Sequence, residues 1–270
     1  MAWGCFCWIP CPYKKWKDED RPAMLAMLPL LGAFMGAIVS ALWLGLVLLG
    51  AGPQLVAAVV TAAAFLLTGF IHLDGYMDCC DAVLPRHPDM EKRREILKDP
   101  HNGAFAMISL VLMLLVYSAS VYELTQHLIL ELQTINWTVL SIFPIVMTVS
   151  RGCSVSYVAS KGPIRASQYA DMTGERRKIL LPLSIVVVLV AGALFIGGIA
   201  FGISNNAVFT SGIGGTALGA TMAAAYIAGE WDIKALGGMN GDVSGHMIVT
   251  GEMFGLLVAS LTAVMAAAGY

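Results

Sequence analysis

The sequence predicts an all-α integral membrane protein, a polytopic helical bundle of about seven transmembrane helices with the N-terminus inside and the C-terminus outside. Two observations support this prediction. Hydrophobic residues make up 58% of the 270 residues and charged residues only 13%, whereas an ordinary globular domain has about 25% charged residues. The Lys and Arg residues also lie in every second connection between the apolar stretches, with one exception inside a stretch.

Seven apolar stretches are long enough, or nearly so, to cross a hydrocarbon layer of about 30 Å, which takes roughly 20 helical residues. They are residues 24–49, 54–73, 104–122, 137–158, 179–201, 207–228 and 246–268. The expected cytoplasmic segments, 1–23, 74–103, 159–178 and 229–245, hold four, five, five and one Lys or Arg residues. The opposite segments hold none, and Lys and Arg favour the cytoplasmic side. An even number of spans, with one segment re-entrant, is the alternative.

The chain is interpreted as one domain, residues 1–270, in the cytoplasmic membrane, with residues 1–23 as an interfacial N-terminal segment. No secretory signal, internal repeat or nucleic-acid-binding basic run is evident. All six cysteines fall on the expected cytoplasmic side or within spans, where thiols stay reduced. Cys5, Cys7 and Cys11 lie among aromatic and Lys residues, which favours an interfacial anchor over a soft metal site.

Three aspartates follow the second predicted span in the stretch HLDGYMDCCDA, residues 72–82. In a helix, Asp78 lies about 40° from Asp74, and Asp81 lies about 20° to its other side. The three carboxylates then share one narrow face, where their mutual repulsion requires a counter-charge. Because clustered carboxylates suit Mg²⁺ or Mn²⁺, the stretch predicts a divalent metal site.

A simpler interpretation of the same stretch is a solvated helix face just beyond the bilayer. Three aspartates without a Glu or Lys on the same face fit that picture poorly. His72 lies about 160° from Asp74 on a continuous helix and points away from the other side chains unless Gly75 breaks the turn. For His72, a catalytic role and a hydrogen-bonded packing role are both open.

A second polar group, in the stretch KDPHNG, precedes the third predicted span. Pro100 ends the amphipathic run before it, and Gly103 frees the backbone at the start of the span. We therefore expect four polar residues at a helix terminus, a position suited to phosphate: Lys98, Asp99, His101 and Asn102. The alternative is that the basic residues of this segment lie on lipid headgroups.

Two further candidates lie later in the chain. Arg151 interrupts the fourth predicted span, and an arginine there is costly unless it snorkels to the interface or pairs, with a substrate phosphate or one of the aspartates as partner. Gly241 and Asp242 lie in the glycine-rich stretch GGMNGDVSGH, which permits close approach of the backbone to a ligand. A plain flexible turn is the alternative. If the spans bundle around one site, Asp242 comes within metal-bridging reach of the three earlier aspartates.

Together these patterns resemble the adenosylcobinamide-GDP ribazoletransferase family, also called cobalamin-5'-phosphate synthase. The shared patterns are H-x-D-G-x-x-D-x-x-D, then K-D-x-x-x-G, a serine-flanked arginine, and a late G-G-x-x-G-D-x-x-G. The opening FCWIPCP and the PLLG of the first span are also similar, so the resemblance covers nearly the whole chain. Pro100 and His101 stand where the family has Ser and Arg, so no phosphate contact is assigned to His101.

The resemblance implies an Mg²⁺-dependent integral membrane enzyme, and the distribution of Lys and Arg predicts that its active site faces the cytoplasm. Its substrates would be adenosylcobinamide-GDP and α-ribazole, or α-ribazole 5'-phosphate, and its products GMP and adenosylcobalamin or its 5'-phosphate. The implied roles are catalytic for His72, Lys98 and Asp99; substrate-binding for Gly103 and Gly241; and metal-binding for Asp74, Asp78, Asp81 and Asp242. Substrate-binding roles for Asn102 and Arg151 are expected from their positions in the chain. Membrane lipid is the other expected partner, and a homo-oligomer is left open.

Two rival functions come from other classes. A CDP-alcohol phosphotransferase also places D-G-x-x at a membrane helix, but Asp78 and Cys79 stand where that family has Ala and Arg. An ion-coupled transporter also has acids within membrane helices and a span interrupted near glycine. The polar groups here gather on one side of the membrane rather than at the midplane, which favours the enzyme.

Overall fold

The computed structural model describes residues 1–11, 17, 20–130, 137–164 and 208–267. Within these ranges the regular structure is helical, apart from one isolated parallel β-bridge between Pro163 and Met239. The helices are α1 (Ala2–Phe6), α2 (Arg21–Ala26), α3 (Leu28–Leu48), α4 (Pro53–Leu66), α5 (Ile71–Val83), α6 (Met90–Ile96), α7 (Ala104–Leu130), α8 (Trp137–Leu140), α9 (Ile142–Ser160), α10 (Val208–Leu236) and α11 (Gly241–Ala267). The all-α prediction is confirmed for these residues.

Four of these helices, α3, α7, α9 and α11, are long and apolar enough to cross a membrane by length and composition. The pair α4 and α5 passes the same test only when taken together, and the two are bent by 88° at the break between them. The described residues therefore form a membrane helical protein with four spans, or five if the bent pair is one. The predicted span at 179–201 lies outside the described residues, so the total of seven stays a prediction.

The break between α4 and α5 corrects the predicted second span, 54–73. The chain leaves α4 at Leu66 and turns through Gly69 and Phe70, whose φ angles are +59° and +62°. Positive φ is easy for glycine but strained for a bulky residue such as phenylalanine, and such strain persists only where the surrounding structure imposes it. Gly69 after α4 is the available turn signal, because glycine is the usual residue where a helix ends with a positive φ; the apolar composition around it had favoured one continuous span. Because of this turn, α5 lies nearly perpendicular to α4 and starts at Ile71.

Glycines set the closest helix contacts in the bundle. A β-carbon at Gly36 of α3 would lie 2.6 Å from the Pro144 backbone of α9, and one at Gly251 of α11 would lie 3.1 Å from the Thr221 carbonyl of α10. Small residues at four-residue spacing allow helix backbones to pack this closely in membranes. The two helix pairs, α3 with α9 and α10 with α11, make the most extensive contacts in the bundle.

Several connecting segments meet around the start of α11. Arg93 donates from Nη1 to the Ala235 carbonyl at 3.0 Å, and Arg94 donates from Nε to the Leu236 carbonyl at 2.7 Å. Arginines at these positions satisfy the unpaired carbonyls at the C-terminus of α10. The Ile164 amide also donates to the Met239 carbonyl at 3.0 Å. These contacts bring α6, the segment after α9 and the α10–α11 turn to one end of the bundle.

Candidate active site

The candidate site is built where α5 crosses α11 through two glycines. A β-carbon at Gly75 of α5 would lie 2.8 Å from the Asp242 Cα, and one at Gly245 of α11 would lie 2.7 Å from the His72 carbonyl oxygen. Neither position has room for a side chain, so the two backbones are in direct contact. This contact places Asp74, the neighbour of Gly75, beside Asp242, which is distant in sequence.

Four carboxylates gather at this crossing, with a gradient of exposure along α5. Asp74 is exposed, Asp78 is half-buried and Asp81 is buried. The Asp78 carboxylate lies within electrostatic reach of Asp74, Asp242 and Asp81, and Asp242 within reach of Asp74. Within the described residues, no Lys, Arg or His forms a salt bridge with any of the four. The crossing is therefore an uncompensated negative site that opens toward Asp74.

Asp242 is held by a neighbour that the sequence analysis did not single out. The Asn240 side-chain amide donates to Asp242 Oδ2 at 2.6 Å, and Asn240 Oδ1 accepts the Val243 amide at 2.9 Å. Asparagine before the first turn is a favoured N-cap, and this was the available sequence signal. The structure starts α11 at Gly241, five residues before the predicted span, so Asp242 lies in the first helical turn and not in a flexible loop.

Asp81 links the first two polar stretches of the sequence. Its Oδ2 accepts the Gly103 amide at 2.5 Å, and its Oδ1 accepts the Ala106 amide at 2.9 Å. A carboxylate at these amides caps the N-terminus of α7 and is favoured by the helix dipole. Asp81 was predicted to be a metal ligand on the same terms as Asp74 and Asp78. Its two oxygens already accept backbone hydrogens, whereas Asp74 and Asp78 accept none from the part of the chain that the structure describes.

The second predicted group, Lys98 to Gly103, is exposed at the entrance to α7. The Asp99 carboxylate accepts the His101 amide at 3.0 Å and pairs with the His101 ring at 2.7 Å. These hydrogen bonds, the backbone one first, lower the pKa of Asp99, which makes it a weaker base than an ordinary aspartate. Lys98 is exposed and forms no salt bridge within the described residues.

The predicted catalytic residue His72 is buried on the far side of α5 from Asp74. Its ring is stacked on Phe6 with a centroid distance of 6.0 Å, and neither ring nitrogen has a hydrogen-bond partner within the described residues. The hydrogen bond expected for a packing role of His72 is therefore not formed within the described residues, and its catalytic role stays a prediction. The helical angle of about 160° between residues 72 and 74 had pointed to this arrangement.

Arg151 has a partner that the sequence analysis did not name. Its Nη1 lies 2.5 Å from Glu252 Oε1 and 2.9 Å from the Met147 carbonyl, and the side chain is only 1% exposed. A buried guanidinium needs a paired carboxylate, and α11 supplies Glu252 for it. Of the two partners considered for Arg151, the aspartate of α5 is therefore wrong, and the contact with a substrate phosphate stays a prediction.

The N-terminal segment also lines the site, which the anchor interpretation of residues 1–23 had missed. The Trp8 amide donates to the Leu67 carbonyl at 2.8 Å and fixes this segment to the bend between α4 and α5. A cavity of about 500 Å³ beside the bend is lined by residues of the N-terminal segment and of the bend. They are Cys5, Cys7, Trp8, Thr68, Gly69, Phe70, Ile71 and Asp74. The cavity thus ends at the exposed carboxylate of the site.

The donors at the crossing fit a hard divalent cation. Carboxylate oxygens are the ligands Mg²⁺ prefers, and Mg²⁺ usually keeps several waters and is shared with substrate phosphates. Among the described residues, only Cys79, Asp232 and His246 bring three potential ligand atoms within 4.8 Å of one another. The carboxylates at the crossing are spaced more widely. The more widely spaced carboxylates suit an ion whose remaining ligands are water and phosphate oxygens.

Comparison with known proteins identifies the family of this chain. The sequence profile of the cobalamin-5-phosphate synthase family matches residues 1–260. The chain belongs to this family. The resemblance drawn from the motifs is thereby confirmed.

Of three relatives from this cobalamin-5-phosphate synthase family, two match nearly end to end and one over about two thirds of each chain. The adenosylcobinamide-GDP ribazoletransferase of Clostridium perfringens strain 13 is 31% identical over 265 residues, 97% of this chain and 96% of the relative. That of Clostridium botulinum strain Alaska E43 is 28% identical over 266 residues, with the same coverage. That of Pseudomonas syringae pv. syringae strain B728a is 34% identical over 177 residues, 64% of this chain and 69% of the relative. No solved structure matches the chain.

Proposed function

We propose that this chain is an adenosylcobinamide-GDP ribazoletransferase. It transfers the phospho-cobinamide group of adenosylcobinamide-GDP to α-ribazole, or to α-ribazole 5'-phosphate, and releases GMP. Family membership supports this activity, and so do the names of relatives that match 97% of the chain. The structural observation behind it is the backbone contact between Gly75 and Asp242, which joins the carboxylates of the first and last motifs in one site.

The reaction makes and breaks one phosphorus–oxygen bond. A ribazole hydroxyl oxygen forms a bond to the phosphorus that carries cobinamide, the bond from that phosphorus to the GMP oxygen breaks, and the hydroxyl proton is lost. The pyrophosphate is anionic, so a site of bare carboxylates would repel it. Mg²⁺, when bound, neutralises the phosphate oxygens and stabilises the departing GMP. We propose Asp74, Asp78 and Asp242 as the residues that hold it.

Other residues position this centre rather than bind the ion. Asp81 is proposed to fix the start of α7 through Gly103 and Ala106, which holds the K-D-x-x-x-G segment at the site. Lys98 is exposed beside this segment, and its ammonium is proposed to pair with the phosphates of the substrate. Asn102 is proposed to donate to the same phosphates, and Gly241 to allow their close approach. His72 and Arg151 are proposed to make no direct contact with the substrate, and their burial supports this.

The enzyme is proposed to lie in the cytoplasmic membrane with seven spans, N-terminus inside and C-terminus outside, and its site facing the cytoplasm. The contacts among α6, the segment after α9 and the α10–α11 turn support this orientation, because they join three of the four basic segments at one end of the bundle. Apolar side chains of α7 such as Ile108, Leu112 and Leu115 are 58–63% exposed and suit contact with lipid.

The test is a reaction with the full chain purified in detergent. Incubation with adenosylcobinamide-GDP, α-ribazole and Mg²⁺ is expected to release GMP and form the joined corrinoid in equal amounts, and both are measured by liquid chromatography. The Asp78→Asn protein is the matched control and should form neither product. If wild-type protein forms no corrinoid product but releases CMP from a CDP-alcohol, the CDP-alcohol phosphotransferase rival holds. Ion flux in proteoliposomes without GMP release would support the transporter rival instead.

A further inference from the structure

A second group of potential ligands lies beside the carboxylates and has no part in the proposed reaction. Cys79 of α5, Asp232 of α10 and His246 of α11 bring one sulfur, one carboxylate oxygen and one ring nitrogen within 4.8 Å of one another. Cys79 and Asp232 are fully buried, and the His246 side chain is only 13% exposed. Three helices thus converge on one small, enclosed point.

Asp232 at this point is incompletely satisfied. Its Oδ2 lies 2.6 Å from His246 Nδ1, but its buried Oδ1 has no hydrogen-bond partner within the described residues. A buried carboxylate with an unmet oxygen costs free energy, since that oxygen has lost its water and gained nothing in return. A cation bound between Asp232, Cys79 and His246 removes this cost.

We propose that Cys79, Asp232 and His246 form a binding site for a zinc ion, distinct from the carboxylate site that suits Mg²⁺. Thiolate, imidazole and carboxylate together are ligands that Zn²⁺ accepts, whereas Mg²⁺ selects oxygen ligands. Three protein ligands leave a fourth tetrahedral position for water. Two ligand atoms on one Zn²⁺ lie roughly 3.3 Å apart. Zinc binding therefore requires the distance between Asp232 Oδ2 and His246 Nδ1 to increase by less than about 1 Å.

The position of this site gives the ion a structural task. Cys79 follows Asp78 directly, and His246 lies one helical turn after Asp242 on the same face of α11. The Tyr76 ring packs against His246 with a centroid distance of 5.3 Å and closes one side. An ion here ties α5, α10 and α11 together and fixes the helix crossing that brings Asp78 and Asp242 into one site. The proposal does not depend on the activity, because the ion is measured directly.

The test measures metal in the full chain purified in detergent without chelator after expression with added zinc. Cys5, Cys7 and Cys11 are first replaced by Ser, so that N-terminal thiols contribute nothing. Elemental analysis after gel filtration should find about one zinc per chain, retained in excess Mg²⁺. Cobalt in place of zinc should give thiolate-to-cobalt charge-transfer absorption. A protein that takes up neither zinc nor cobalt overturns the proposal.

Single substitutions identify the ligands. Cys79→Ser, Asp232→Asn and His246→Gln should each lower zinc content at least about tenfold. Cys153→Ser, which removes another buried free thiol, should leave zinc content unchanged. The variant Cys79→Asp retains a ligand, so it should still bind cobalt but lose the charge-transfer band, which separates ligation from a general folding defect. Zinc retained in Cys79→Ser, or lost equally in Cys153→Ser, overturns the assignment.

Discussion

Gly75 on α5 and Asp242 on α11 are in backbone contact, since a β-carbon on Gly75 would lie 2.8 Å from the Asp242 Cα. Two motifs that are far apart in the sequence therefore form one site. They can do so because Gly75 has no side chain to keep the two helix backbones apart. The carboxylates of Asp74, Asp78 and Asp242 are held together by helix packing even though their charges repel. A bound cation would also hold these carboxylates together, because its positive charge offsets their mutual repulsion.

Replacing Gly75 by Ala should damage the site without removing any functional group. The added methyl meets backbone, which cannot rotate away, so α11 must move; overpacking of this kind typically costs about 1–3 kcal/mol. GMP release should fall at least about tenfold, since a shift of about 1 Å in a catalytic geometry has that order of effect. The measurement is the rate at saturating Mg²⁺.

Gly45→Ala is the matched control for this prediction. Gly45 lies in α3, and a β-carbon there has no heavy atom within 4 Å. Alanine should be neutral or stabilising at Gly45 because it has the higher helix propensity. Equal activity in the Gly75→Ala and Gly45→Ala proteins would contradict the packed crossing.

The buried pair of Arg151 and Glu252 predicts an unusual pattern of stability. Removing one partner leaves an uncompensated buried charge, so Arg151→Met and Glu252→Leu should each lower the free energy of unfolding by about 3–5 kcal/mol. The double variant should recover most of this loss, because it buries no charge. Thermal unfolding in detergent, followed by intrinsic fluorescence, measures the three variants.

A direct substrate contact by Arg151 predicts a different pattern. In that case Arg151→Met would raise the KM for adenosylcobinamide-GDP with little change in stability, and the Glu252 substitution would not rescue it. The double-variant recovery is therefore the deciding observation between a structural pair and a phosphate ligand.

Asp81 and Asp78 should respond differently to the same substitution. Asp81→Asn loses an acceptor at the start of α7 and should lower the free energy of unfolding by about 1 kcal/mol, with an unchanged Mg²⁺ requirement. Asp78→Asn removes a proposed ligand charge and should lower activity by orders of magnitude in a protein that still folds. Titrating the rate with Mg²⁺ separates the two. A raised Mg²⁺ requirement in Asp81→Asn would return Asp81 to the metal ligands.

The orientation in the membrane is tested by labelling single cysteines in a chain whose six native cysteines are replaced. Leu49, at the end of α3, is expected outside, and Lys92, in α6, inside. A membrane-impermeant maleimide added to intact cells should label Leu49→Cys, and should label Lys92→Cys only after lysis. Equal labelling of both positions in intact cells would refute the seven-span orientation.

Local periodicity predicted the parts of the site that lie within one helix. The shared face of Asp74 and Asp78, and the opposite direction of His72, follow from the 100° step of a helix. The pairing of Arg151 with Glu252 did not follow, because both lie in apolar spans and only the packing of α9 on α11 makes them neighbours. The hydrogen bonds of Asp81 did not follow either. Its partners are backbone amides at the start of α7, and patterns of side chains in a sequence do not reveal backbone donors.

The bend before α5 was also missed at the sequence level. Hydropathy favoured one span through residue 73, although Gly69 offers a helix-ending signal and Phe70 beside it adopts a positive φ. The hydrogen bond from the Trp8 amide to the Leu67 carbonyl holds the N-terminal segment against this turn. Such a contact between segments distant in sequence is not visible in hydropathy.

The final prediction separates a metal ligand from a nucleotide contact at Asp242. Asp242→Ala should lose activity and need several-fold more Mg²⁺ for half-maximal rate, since a proposed ligand is gone. An Asp242 that only orders the nucleotide would instead predict a raised KM for adenosylcobinamide-GDP and an unchanged Mg²⁺ requirement in Asp242→Ala. Asn240 allows a finer test, because its amide orients Asp242 while its Oδ1 caps α11.

Asn240→Ser keeps a good N-cap but cannot reproduce the amide donor to Asp242. Its stability should therefore match that of the wild type, while its Mg²⁺ requirement rises in the same direction as in Asp242→Ala. Asn240→Ala removes both functions and should also lose about 1 kcal/mol of stability. A Ser variant with normal Mg²⁺ dependence would show that the orientation of Asp242 is not used in metal binding, because the only group removed is the one that holds its carboxylate in place.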